Sequence, residues 1–119
     1  MKKIVLCACL AVVLPMGLVA MDCQNASTTI EMKECASADL QRADKALNVT
    51  YKKLMAKLPD NIAKDKLKKS QRAWIAFRDA NAEFSADEMR GGTGEGLLYM
   101  GTVTQMTQQR EKELAQYLK

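Results

Sequence analysis

Two cysteines, Cys23 and Cys35, are the residues whose type and spacing most directly predict chemistry in this chain of 119 residues. An even number of cysteines at close spacing favours an intramolecular disulfide, with intermolecular pairing as the alternative. Such bonds persist mainly in oxidising compartments outside the cytoplasm. The pair therefore predicts an exported protein whose N-terminal segment is pinned by one disulfide.

Catalytic and metal chemistry lack the residues that they need. The chain has no histidine, and no serine or cysteine lies in a recognisable nucleophile motif. Carboxylate pairs do occur, Glu31 with Glu34 and Asp87 with Glu88, but such pairs at a helix start or in a loop are typical of solvated surface. A disulfide between the two cysteines would leave too few ligands for zinc. We therefore expect no enzyme activity, no metal and no other cofactor.

The first twenty residues have the pattern of a secretory signal peptide. Two lysines precede an apolar run that ends at the small residue Ala20. The run is shorter than a membrane-spanning helix needs, so a retained anchor is the alternative. Asp22 before Cys23 does not fit a lipoprotein signal. We expect a signal peptide over residues 1–20 and one domain over residues 21–119 in the periplasm, with secretion into the medium as the alternative.

Helical periodicity runs through two segments that meet at Pro59. Thr28 and Glu31 have the spacing of a capping box, which predicts that a helix begins there. Residues at alternating steps of four and three then mark one face: Leu40, Asp44, Leu47, Tyr51, Leu54 and Leu58. The run Pro59-Asp60-Asn61 ends this helix and starts a second, whose predicted stripe is Ile62, Leu67, Trp74, Phe77 and Phe84.

A glycine-rich break over residues 91–96 separates the second helix from a third, which is predicted from Leu97 onward. The third stripe consists of Tyr99, Val103, Met106, Arg110, Leu114 and Tyr117. Strands would need alternation by two, which does not occur. The sequence therefore predicts an all-α fold: a three-helix up-down-up antiparallel bundle with a long first helix and one N-terminal disulfide.

Several motifs together resemble one known family. The most specific is the run Gln71-Arg72-Ala73-Trp74-x-x-Phe77-Arg78-Asp79. The others are the segment from Thr28 to Cys35, the run Ala43-Asp44-x-x-Leu47-Asn48-x-x-Tyr51-x-x-Leu54, Gly91-Gly92 and Thr107-x-x-Arg110. They span nearly all of the chain after the leader, and they resemble the LprI-like family of exported lysozyme inhibitors. The resemblance implies a small helical domain that binds a lysozyme.

The chain departs from that family at a second cysteine pair. Members commonly carry one such cysteine shortly after the Arg-Asp step and its partner on the last helix, where this sequence has Ala82 and Thr102. The resemblance implies that these two positions are neighbours across the glycine loop. Without that bond, the loop is expected to move more freely than in related proteins.

Five polar residues border or interrupt the apolar stripes: Asp44, Asn48, Arg78, Asp79 and Arg110. Charged groups on an apolar face need partners. We expect a structural network in which Asp44 receives Arg78 or Arg110 and Asn48 completes the hydrogen bonds. A direct role in binding is the alternative.

Charge is expected to differ between the two ends of such a bundle. At the end shared by the start of the first helix, the end of the second and the start of the third, only Lys33 and Arg90 oppose a set of acidic residues. These are Asp22, Glu31, Glu34, Asp39, Asp79, Glu83, Asp87, Glu88 and Glu95. The opposite end collects the basic residues Lys52, Lys53, Lys57, Lys64, Lys66, Lys68, Lys69 and Arg72.

The acidic end suits the partner that the resemblance implies. Animal lysozymes are cationic, and their catalytic groups are carboxylates. An acidic rim would speed encounter with such a protein. The candidate partner-binding site is the loop Arg90, Gly91, Gly92, Thr93 and Gly94, whose arginine and backbone amides would enter the cleft. The alternative is that this loop only connects two helices.

Two other classes of function stay open. The basic end could contact anionic lipid headgroups, with a solvated lysine-rich surface as the plain alternative. A helix face could instead dock another envelope protein, in an accessory or scaffold role. Export removes nucleic acid from the candidate partners, and we expect a monomer.

Overall fold

A computed structural model describes residues 22–119, and these contain three α-helices and no strand. The helices are α1 (Thr29–Lys57), α2 (Asn61–Ala86) and α3 (Glu95–Gln116), with short 3₁₀ turns at Cys23–Asn25 and Asp87–Met89. The predicted all-α class, the three helices and the long first helix are thereby confirmed. None of the helices in this described part is long and apolar enough to cross a membrane. The predicted signal peptide lies outside the described residues.

The start of α1 is held by a cap and by a disulfide. The Glu31 amide donates to the Thr28 hydroxyl at 3.1 Å, and the Glu31 carboxylate accepts from the amides of Ser27 and Thr28 at 2.8 and 3.3 Å. These two backbone hydrogen bonds, that from Ser27 foremost, hold the pKa of Glu31 below its ordinary value. Cys23 and Cys35 form the predicted disulfide, with Cα atoms 5.7 Å apart. The segment before α1 is therefore tied back along its first turns.

The two breaks between helices follow the predicted signals. Asp60 caps α2 by accepting from the Ala63 amide at 2.8 Å. The second break is shorter than predicted, because α3 begins at Glu95 rather than at Leu97. Glycine is tolerated in a first helical turn, and a carboxylate there interacts favourably with the helix dipole.

The third helix is the central element of the packing. α3 lies along both α1 and α2, whereas α1 and α2 make little direct contact with each other. Leu47, Leu54 and Leu114 form the centre of the core, and burying each such side chain contributes roughly 1.5–3 kcal/mol. Half-buried side chains surround that centre: Tyr51, Leu58, Leu67, Trp74 and Leu118. The core is thus concentrated toward the ends of α1 and α3 and the first half of α2.

The predicted stripe of α2 is wrong at three positions. Ile62, Phe77 and Phe84 are 69%, 61% and 80% exposed. At about 100° per residue, Phe77 lies roughly 60° around the helix from Trp74. Because α1 does not pack against that side of α2, nothing in the described chain covers it.

The far half of α2 meets α3 through small residues instead. Ala82 and Ala86 are buried there, which lets the two helices approach closely. Tyr117 is also exposed, contrary to its predicted place in the third stripe. The cause is that α3 ends at Gln116, so Tyr117 follows the last helical turn.

Candidate functional site

The loop between α2 and α3, residues 90–94, lies on the protein surface. Its first four residues are exposed and Gly94 is half-buried. The start of α1 lies beside it, because Lys33 of α1, Glu83 of α2, Thr93 of the loop and Glu95 of α3 line one shallow depression. The loop and the three neighbouring helix ends therefore share one surface, which we call the acidic end.

Hydrogen bonds hold this loop in a defined shape. Arg90 donates from Nε and Nη2 to the Asp87 carboxylate, both at 2.7 Å. The Gly91 amide donates to the Glu95 carboxylate at 2.9 Å, and the Gly92 amide donates at 2.9 Å to a carbonyl of the preceding turn. Gly91 has a φ of 75°, a conformation that favours glycine. The amides of Gly91 and Gly92, which we expected to meet a partner, are thus already bonded inside the protein.

Phe84 is a feature of the acidic end that the sequence reasoning missed. Its side chain stands 80% exposed near the end of α2, and the neighbouring Glu83, Asp87 and Glu88 are exposed as well. An exposed aromatic side chain within a polar surround is a candidate anchor for a protein contact. The sequence did contain a signal for it. Phe84 follows Phe77 by seven residues, and on a helix this spacing places the two side chains within about 20° of each other.

Some carboxylates of the acidic end have cationic partners. Three ion pairs occur there: Asp39 with Arg42, Asp79 with Arg78 and Asp87 with Arg90. The first two arginines were absent from the expected charge balance. Glu34, Glu83 and Glu88 have no ion pair within residues 22–119, so the surface keeps an excess of negative charge.

The predicted polar residues fall into two groups, one around each arginine. Arg78 donates to the Asp79 carboxylate at 2.8 Å, lies 3.8 Å from an oxygen of Asp44 and donates to the Thr107 hydroxyl at 3.4 Å. Thr107 is fully buried and was not among the candidate residues. Asn48 is exposed and makes no side-chain hydrogen bond to another residue of the described chain.

Arg110 makes a separate set of contacts. It donates to Gln71 at 3.1 Å and to Ser70 at 2.8 Å, and it pairs with Glu113 at 3.2 Å. Trp74 links the two groups, since its ring centroid lies 5.2 Å from the Arg78 guanidinium carbon and 5.8 Å from that of Arg110. Both distances are within the range of cation–π attraction.

The groups of the acidic end can take part in recognition through charge, hydrogen bonding and apolar contact. Within residues 22–119, no three side chains among histidine, cysteine, aspartate and glutamate gather as a metal site would require. The acidic end offers charge, an exposed aromatic ring and a shaped loop, which are the components of a protein-binding surface.

Comparison with known proteins gives two matches. The model of the family described as lysozyme inhibitor LprI matches residues 20–114. A Rhizobium meliloti (strain 1021) protein, described as uncharacterised, is 33% identical over 109 residues, which cover 82% of this chain and 78% of the relative. No solved structure matches the chain.

Proposed function

The chain belongs to the LprI lysozyme inhibitor family, as its motifs predicted, and we propose that it is a periplasmic protein that inhibits a lysozyme by covering the catalytic cleft. Its role is binding and not catalysis. The observation that carries this proposal is the composition of the acidic end, where an exposed Phe84 stands among carboxylates beside a surface loop. A cationic enzyme is the partner that such a surface would attract.

The proposal depends on how the helix ends are arranged, and we infer the up-down-up order. Thr50 of α1 donates to Glu111 of α3 at 2.7 Å, which links late positions of both helices. Thr102, early in α3, donates to Ser85, late in α2, at 3.2 Å. These pairings support a parallel course for α1 and α3 and an antiparallel course for α2. That order gathers the start of α1 and the loop at one end.

Phe84 is proposed as the anchor of the contact. Burial of an aromatic side chain at the centre of an interface supplies a large share of binding energy, while a polar rim excludes water. Glu83 and Glu88 lack ion-pair partners in the described chain, so they are available to lysine and arginine side chains of the enzyme.

The loop is proposed to act through Arg90 and Thr93. Asp87 occupies Nε and Nη2 of Arg90, which leaves Nη1 able to donate to a catalytic carboxylate of the enzyme. The amides of Gly91 and Gly92 are used internally, so they shape the loop and do not contact the enzyme. We therefore propose that the glycines set the shape of the loop and do not themselves bind the enzyme.

A lysis assay tests the proposal. Purified protein is mixed with lysozymes of several types, and the rate of clearing of a cell-wall substrate is measured. We expect slowed lysis, and we expect Phe84→Ala to raise the concentration needed for half-inhibition about tenfold or more. Phe77→Ala is the matched control, since Phe77 is exposed on the same helix but lies about two turns from Phe84, farther from the loop.

A second candidate function has its own support. The exposed Phe77 and Phe84 lie on one face of α2, which would also suit docking to another envelope protein in an accessory role. Absence of inhibition against every lysozyme type would reject the inhibitor proposal in favour of this one. Equal effects of the two alanine variants on inhibition would reject the acidic end as the contact surface.

A further inference from the structure

The opposite end of the molecule carries an apolar groove of about 460 Å³. It lies between the end of α1, the first half of α2 and the end of α3. Its walls are Leu54, Leu58, Ala63, Leu67, Leu114 and Tyr117, and Lys57, Lys66, Ser70 and Arg110 are its polar groups. Pockets that bind small ligands have this make-up, with apolar walls and a few convergent polar groups.

The charge at the mouth of the groove is positive. Lys66 is exposed and has no ion pair within residues 22–119, and Lys57 donates one hydrogen bond to the Leu118 carbonyl at 3.1 Å. Each acidic side chain of this end already has a partner within the protein. Their roles are the cap of α2 (Asp60), an ion pair with Lys68 (Asp65), a hydrogen bond from Thr50 (Glu111) and an ion pair with Arg110 (Glu113).

Size and charge together select the ligand. At about 30 Å³ for a water-sized group, the groove holds roughly fifteen such groups, which is one acyl chain and not two. We propose that this groove binds a single fatty acid of about twelve carbons, with the chain against the leucine walls and the carboxylate at Lys66 and Lys57. The proposal does not rest on lysozyme binding, because the acidic end takes no part in it.

The single tryptophan of the chain provides the measurement. Arg110 lines the groove and lies 5.8 Å from the centroid of the Trp74 ring, so a ligand in the groove is expected to change the fluorescence of Trp74. The purified protein is titrated with dodecanoate below its micelle concentration, at a mildly alkaline pH at which the acid is ionised. We expect a saturable change, and a dissociation constant about tenfold higher for the uncharged dodecanol.

Two pairs of variants test the site. Lys66→Gln is expected to raise the dissociation constant for dodecanoate about tenfold, while Lys69→Gln, an exposed lysine on the same helix outside the groove, leaves it unchanged. Ala63→Phe fills the groove and is expected to abolish binding, while Ala76→Phe on the outer side of α2 does not. Circular dichroism checks that each variant folds. If Ala63→Phe does not fold, the proposal is tested by the two lysine variants and by the comparison of dodecanoate with dodecanol.

Several outcomes would overturn the proposal. The first is the absence of saturable binding below the micelle concentration. The second is an equal loss of dodecanoate affinity in Lys66→Gln and Lys69→Gln, and the third is a dodecanol affinity equal to that of dodecanoate. Tighter binding of a lysophospholipid with the same chain would replace the fatty acid with a different ligand. Binding only to anionic vesicles, retained in Ala63→Phe, would mean that the basic end contacts membranes through surface charge alone.

Discussion

Trp74 joins two arginines that come from different helices. Arg78 is on α2 and Arg110 is on α3, and both guanidinium groups lie within 6 Å of the ring centroid. Arg110 also donates a hydrogen bond to the side chain of Gln71, and Arg78 donates to the hydroxyl of the buried Thr107. The motif that most specifically marks the family therefore fastens α2 to α3. This contact set accounts for the motif through the packing of α2 against α3.

Glu31 gives the start of α1 a dependence on pH. The amides of Ser27 and Thr28 lower the pKa of its carboxyl group in the folded protein. A lowered pKa means that the stabilisation is fully present above the pKa of the unfolded chain and is lost as pH falls through the folded-state value. We expect wild-type protein to be more stable than Glu31→Gln at neutral pH and this difference to shrink progressively below about pH 4.5.

Urea unfolding at a series of pH values measures that difference. Glu34→Gln serves as the control, because Glu34 is an exposed carboxylate on the same helix that caps nothing. A gap between wild type and Glu31→Gln that stays constant from neutral pH to about pH 3 would show that the charge of Glu31 does not stabilise the cap.

At the scale of elements, the link between α2 and α3 offers a place for a second disulfide. Ala82 is fully buried on α2, and Thr102 on α3 donates to Ser85, one turn from Ala82. We predict that Ala82→Cys/Thr102→Cys forms this bond under oxidising conditions. Closing a loop of this length is expected to add about 3 kcal/mol to the free energy of unfolding and to slow amide exchange in the loop.

Urea unfolding measures the free energy of unfolding of the oxidised and the reduced forms of this double variant. Ala80→Cys/Thr102→Cys is the control, because Ala80 is exposed on the outer side of α2. Two free thiols in oxidised Ala82→Cys/Thr102→Cys would mean that positions 82 and 102 are not neighbours.

The sequence predicted the helices better than their faces. Caps and breaks are local, so Thr28, Glu31, Pro59 and Asp60 sufficed to place the ends of α1 and the start of α2. The face that a helix buries depends on which helices pack against it, and period counting assumed that all three pack together. Because α1 makes little contact with α2, Phe77 and Phe84 are exposed.

The candidate loop was predictable for a similar reason. Four glycines within residues 91–96 mark a break in the helix whatever the rest of the chain does. The partners of its polar groups were not predictable, because the bonds from Arg90 to Asp87 and from Gly91 to Glu95 depend on the turn that the chain adopts. The apolar stripes correctly predicted Leu54 and Leu114 as core residues, but the groove beside them depends on how the three helices pack and was not predictable.

At the scale of the whole molecule, the two ends act as separate electrostatic surfaces. A helix of 29 residues is about 43 Å long. Charges in water at physiological ionic strength are screened beyond about 8 Å. The basic end therefore does not cancel the field of the acidic end, and one small domain can present two surfaces to two different partners.

This separation predicts how salt should affect the proposed binding of a cationic lysozyme. We expect the association rate constant to fall about tenfold between roughly 20 and 500 mM salt, because long-range attraction steers the encounter, while the dissociation rate constant changes by less than about twofold. Phe84→Ala should instead raise the dissociation rate constant and leave the association rate constant nearly unchanged, since a short-range contact governs dissociation. Stopped-flow or surface-based kinetics measures both constants. Lys69→Gln, at the basic end, is expected to change neither, and an association rate that is independent of salt would contradict electrostatic steering by the acidic end.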